Sequence, residues 1–164
     1  MIAVITGKLI DVFDHQISLM DYSDSAIFDY APQQVFDVIA DIERYPEFLP
    51  GWISVNVVAR QANTVEVEQK LGFALLSWCF TSDAIFEPPF HIHIKSLKGS
   101  FLHLDIDWVL TPVEDNKTRV SLVVKSDSAP GPHHHFLHSI FSNSTRTLLS
   151  YFKERLALVY DETK

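Results

Sequence analysis

The sequence predicts an α+β fold, in which a curved antiparallel sheet of about six to seven strands wraps around a long C-terminal helix and two short helices follow the first strand. Three observations carry this. Between Ile53 and Val124 apolar and polar side chains alternate in six successive short runs, the period of half-buried strands. From His133 to Val159 the apolar residues recur at helical spacing instead. Between Tyr30 and Trp52, prolines punctuate short apolar groups that fit only brief helices.

The elements follow in order. Ser25–Tyr30 reads as a short strand, and Ala31-Pro32 opens a helix because proline suits the first helical turn. Val35, Phe36, Ile39 and Ala40 share one face of it, Tyr45-Pro46 ends it, and Glu47–Trp52 makes a second short turn of helix. The inward strand sets are then Ile53, Val55, Val57 and Ala59; Val65, Val67, Gln69, Leu71 and Phe73; Leu76, Trp78, Phe80 and Ala84; Phe90, Ile92 and Ile94; Leu102, Leu104, Ile106, Trp108 and Leu110; and Val120, Leu122 and Val124. One face of the sheet is thus apolar throughout and needs a cover. Ala129-Pro130-Gly131-Pro132 stops the sheet. One helix of about seven turns follows from His133, by the ~3.6-residue period. Its stripe is Phe136, Ile140, Phe141, Leu148, Phe152, Leu156 and Val159. This order is that of the helix-grip fold. No repeat, linker or low-complexity tract divides the 164 residues. Residues 1–19 are expected to be an N-terminal extension, strand or arm, and residues 20–164 a single ligand-binding domain.

The predicted helix stripe softens at its centre, where Ser144 and Thr147 stand between Phe141 and Leu148. Small residues over a concave sheet leave space, which side chains or a ligand must fill. Trp78, Phe80, Trp108, Phe73 and Phe90 face that gap. They either fill it as core or line a pocket for an apolar molecule.

Charge and motif content narrow the function. Net charge is −8 and no basic cluster occurs, which disfavours direct nucleic-acid binding. The longest apolar run falls short of the ~18 residues that span a bilayer. The N-terminal stretch lacks the basic flank of a secretory signal and the arginines of a transit peptide. A lone cysteine, Cys79, excludes an internal disulfide and suits the reducing cytoplasm. No glycine-rich phosphate loop or nucleophile motif is present, so no cofactor is expected.

Eight histidines raise the question of metal. A three-residue loop at Lys98-Gly99-Ser100 pairs His91 with Asp107, His93 with Asp105 and Lys95 with His103 across the solvent face. Such charge-complementary pairs explain these residues without an ion. His133, His134, His135 and His138 open the last helix without nearby acids, and read as a polar pocket rim or an exposed helix start rather than a metal site. The inward polar residues are Gln69, Ser82, Ser96, Ser144 and Thr147. None is the titratable group that acid–base catalysis needs.

The segment from Tyr30 to Pro50, YAPQQVFDVIADIERYPEFLP, resembles the opening of the START-like proteins of the coenzyme-Q-binding and ribosome-association-toxin (RatA) type. Leu71-Gly72-Phe73, the run from Lys98 to Leu102 followed by Trp108, and Phe152–Arg155 with Val159-Tyr160 are similar to later pieces of the same family. Gly51 before Trp52, and the histidine-rich start of the last helix, depart from the family pattern. The resemblance implies non-enzymatic binding or transport of a prenylquinone or lipid between sheet and helix, with transient membrane contact. As alternatives it admits a ribosome-associated modulator of translation whose partner is a ribosomal protein, and a polyketide-cyclase-like enzyme. For the carrier, the expected site has Tyr45, Phe48, Leu49 and Trp52 as a gate. Phe73, Trp78, Phe80, Phe90 and Trp108 stand on the sheet side and Phe141, Ser144 and Leu148 on the helix side. Gln69 or Ser144 offers a hydrogen bond.

Overall fold

The computed structural model describes residues 18–97, 102–128, 131–141 and 147–161. The chain runs β1 (Ser18–Phe28), α1 (Pro32–Ala40), a 3₁₀ turn (Ile42–Arg44), α2 (Tyr45–Phe48), β2 (Trp52–Gln61), β3 (Thr64–Phe73), β4 (Leu76–Glu87), β5 (His91–Ser96), β6 (Leu102–Glu114), β7 (Lys117–Ser128), α3 (Pro132–Phe141) and α4 (Leu148–Tyr160). The seven strands form one antiparallel sheet in the order β1-β7-β6-β5-β4-β3-β2. It is a meander from β2 to β7, with β1 returning along the far edge of β7.

Alternation decides which face is covered. Val65, Val67, Gln69 and Leu71 on β3, Phe80, Ser82 and Ala84 on β4, and Leu104, Ile106, Trp108 and Leu110 on β6 are all buried. The helices supply the other half of the core. Phe152 of α4 is fully buried. Its ring lies 5.0 Å from Trp108, 5.2 Å from Phe48 and 5.4 Å from Tyr45, each edge-on, the arrangement that the aromatic quadrupole favours. Outside this cluster, Glu47 of α2 accepts from Arg155 of α4 at 2.9 Å, and the Arg155 guanidinium lies 5.5 Å over Phe48. The two helices are therefore clamped together.

Three details differ from the sequence expectation. The first strand is longer, because Ser18 to Phe28 pair with Ser128 to Thr118 along the whole of β7. The expected boundary at residue 20 falls inside that strand, and residues 1–17 lie outside the described residues. The C-terminal helix comes in two pieces. Thr147 is extended, at φ −79° and ψ 159°, and stands at the start of α4. The preceding run Ser142-Asn143-Ser144-Thr145-Arg146-Thr147 is rich in side chains that favour caps over helix interiors. Finally, β5 and β6 are shifted by two residues from the expected register. His93 stands opposite Asp107 and Lys95 opposite Asp105. An even shift keeps every side chain on its face, so the apolar side was readable although the loop was longer than assumed.

Candidate functional site

The site grows from the loop that joins α2 to β2. Tyr45 is buried, and its hydroxyl donates to the Ile39 carbonyl of α1. Burial pushes its phenol far above the ordinary value. Leu49 ends α2, Gly51 turns the chain, and Trp52 starts β2. Gly51 has φ +86°, and a Cβ there would lie 2.7 Å from Phe136 Cζ and 2.9 Å from Ile140 Cδ1 of α3. Only glycine lets the turn and the helix approach this closely.

Behind the loop lies a cavity of about 30 Å³. Tyr45, Leu49 and Trp52 bound one side of it. Gln69, Leu71, Phe80, Ile94, Leu104, Ile106 and Trp108 form the sheet wall, and Leu137, Phe141, Leu148 and Phe152 the helix wall. Its polar anchor is a short relay. The Trp52 indole donates to Gln69 Oε1 at 3.0 Å, and Gln69 Nε2 donates to Ser82 Oγ at 3.0 Å. An indole N–H can only donate, so the amide oxygen must face Trp52. One amide hydrogen then remains beyond the bond to Ser82. No carboxylate, imidazole or amine is among the described lining residues.

Of the residues expected at the site, Tyr45, Leu49, Trp52, Gln69, Phe80, Trp108, Phe141 and Leu148 line this cavity. Phe48 stands behind it, packed on Phe152. Trp78 also lies outside, its ring tilted against Phe136 of α3 at 5.5 Å and near His133 at 6.3 Å, so it braces the outer lip. Phe73 and Phe90 do not line it, being 75% and 49% exposed. Phe73 has the inward parity, but its strand runs past the reach of the helices. Ser144 lies outside the described residues, and Thr147 is exposed rather than inward. The sequence reading missed Leu137 as lining, although it immediately follows the stripe residue Phe136. It also passed over Leu71, Ile94, Leu104, Ile106 and Phe152, most of them aliphatic residues that the sheet places among the named aromatics.

On the opposite face, His91 meets Asp107 at 2.9 Å and His93 meets Asp105 at 3.0 Å. The expected partners therefore do meet, as diagonal rather than directly opposite pairs. Potential ligand atoms of His93, Asp105 and Asp107 lie within 4.8 Å of one another. Lys95 and Lys125 stand opposite Asp105 on both neighbouring strands, and their charge opposes a bound cation. At the start of α3, burial and then the neighbouring histidines hold the His134 imidazole below its ordinary pKa, so the neutral form is favoured.

An antiparallel sheet gripped by C-terminal helices over an apolar cavity defines a START-like, helix-grip domain. Residues 28–153 match the model of the polyketide cyclase/dehydrase and lipid transport family, and the chain belongs to that family. The ribosome association toxin RatA of Vibrio cholerae is 26% identical over 140 residues, 85% of this chain and 97% of that protein. The mitochondrial coenzyme Q-binding protein COQ10 homolog B of Xenopus laevis is 19% identical over 86% of this chain and 59% of its own length. Among solved structures, the Zhui aromatase/cyclase from Streptomyces sp. R1128 superposes with a TM-score of 0.71 at 15% identity, covering 85% of this chain and 94% of that one. A STAR-related lipid transfer protein from Xanthomonas axonopodis gives 0.67 at 9%, covering 83% and 85%. At such identities the structural likeness speaks for the fold alone.

Proposed function

We propose that the protein binds a hydrophobic small molecule, a prenylquinone or lipid, between the sheet and α3/α4, and carries or presents it without chemical change. The observation that supports this best is the lining: hydrocarbon and aromatic side chains around one amide relay, Trp52–Gln69–Ser82. Gln69 keeps an N–H for a ligand carbonyl, while Trp108 and Phe80 offer ring surfaces. Tyr45 cannot serve as an acid, since its hydroxyl is committed to Ile39 and its pKa is driven up. That favours a carrier over a cyclase-like enzyme, which needs a proton donor or acceptor in the pocket.

The cavity of about 30 Å³ has room for only a water or two. Pockets for drug-sized ligands are roughly 300–1,000 Å³. Uptake therefore requires the helix wall to part from the sheet. No described helix is long and apolar enough to cross a membrane, and the lone Cys79 suits a cytoplasmic location.

A second reading is favoured by the likeness to RatA over nearly that protein's whole length: association with a ribosomal protein and modulation of translation. Native mass spectrometry of protein from its own host, followed by organic extraction, separates the two. A stoichiometric quinone or lipid is the expected result. An apo mass together with co-sedimentation on ribosomal subunits would replace the carrier reading with the ribosomal one.

A further inference from the structure

The β3–β4 hairpin ends in a knob that the cavity does not use. Residues 73–77 are all exposed; Phe73 is 75% exposed, Leu76 55% and Leu75 fully. Phe73 and Leu76 are paired across the ladder on the cavity-side face. Ile53, half exposed, lies against Gly72 and Ser77 on the other face. Apolar side chains therefore stand on both faces of the knob, with the exposed Ser77 hydroxyl beside Gly72 on the outer one. Its turn holds an alanine at positive φ, as the β2–β3 turn does with Ala62 at φ +54°. Ala74 has φ +53°, a conformation that ordinarily draws Asn or Gly at such hairpins. The β6–β7 turn of the same sheet follows that rule with Asp115-Asn116, Asn116 at φ +57°. What sets the β3–β4 turn apart is that its central residues, Ala74 and Leu75, are both apolar and exposed, whereas the other two turns carry Asn63 and Asp115-Asn116.

We propose that this knob inserts into the surface of a lipid bilayer and sets the cavity mouth against it. Charge placement selects this occupant. Residues 71–82 contain no charged side chain, although the chain as a whole is acidic. Behind the tip the first charge is Lys70, paired with Cys79 three ladder steps below the Phe73–Leu76 pair. At ~3.3 Å per residue that is about 10 Å, the depth to which interfacial apolar segments bury. Lys70 then meets the phosphates, and Trp78, one step nearer the tip, sits at the headgroup level that tryptophan prefers. A protein groove would cover one face of the hairpin; a bilayer wets both. The Trp52 and Leu71 pair links the mouth to the knob, so an exchanging ligand would pass from bilayer to cavity along one hairpin. Net charge of −8 favours zwitterionic over anionic membranes.

The purpose of the insertion rests on the carrier reading, but its test does not. Full-length protein is floated with ligand-free phosphatidylcholine vesicles, with brominated lipid reporting quenching of Trp78. The wild type should float and be quenched. Leu75→Asp and Phe73→Ser should each lower partitioning at least about tenfold, while Val58→Asp, at an exposed apolar site on β2 away from the tip, leaves it unchanged. Both tip variants should keep the wild-type unfolding temperature and the binding of a short-chain quinone, which separates failure of the knob from failure of the cavity. A wild type that stays with the aqueous fraction would overturn the proposal. So would flotation indifferent to the tip variants, or a soluble dimer that Leu75→Asp dissolves.

Discussion

Gln69 places an amide in an otherwise apolar wall, and its cost and use are both local. It is 8% exposed, so each of its bonds stands in for a lost bond to water. Gln69→Leu would leave the buried Ser82 hydroxyl without its partner and strip the partly buried Trp52 indole of its acceptor. Each such loss costs about 1–3 kcal/mol, and denaturant unfolding should register a destabilisation of that order. Affinity for a ligand bearing a carbonyl should fall about tenfold, while an alkane tail of equal size binds as before. Gln69 was readable because alternation along β3 fixes its face. Phe73 and Phe90 were not placed correctly by the same rule. Alternation tells which face a residue occupies, but not how far along the strand the helices reach.

At the level of elements, the site is set by how α3 leans on the turn before β2. Gly51 is where they touch, with its carbonyl also accepting from Gly72 at 2.9 Å. Gly51→Ala adds a methyl against Phe136 and Ile140 and forces alanine into positive φ, which costs about 1–2 kcal/mol. The expected outcome is lower stability together with faster ligand exchange, read by stopped-flow release, because α3 is pushed from the lip. The sequence marks Gly51 as a departure from the family pattern, but its partner is not legible there. Contact between residues 51 and 136 belongs to tertiary packing. The interruption at Thr147 was equally hidden. The apolar spacing resumes in helical step at Leu148, and only the soft centre of the stripe and the Ser/Thr-rich composition of 142–147 hint at a break.

For the whole molecule, periodicity alone was enough to foresee a meander of strands and a covering helix, because a two-residue period and a 3.6-residue period cannot be confused over such lengths. The register of β5 on β6 was missed by two residues, an error that preserves faces and so leaves the core intact. The match of residues 28–153 to the polyketide cyclase/dehydrase and lipid transport model then supplies the family.

The central claim, that an apolar ligand enters between the sheet and α3/α4, is open to direct test through the three tryptophans. Trp52 and Trp108 line the cavity, while Trp78 lies outside it. Titration with a short-chain quinone should quench emission saturably at one equivalent. The quenched fraction should persist in Trp78→Phe and shrink sharply in Trp108→Phe. Absent or non-saturating quenching, or quenching carried by Trp78 alone, would contradict the claim and move the ligand, if any, to the surface.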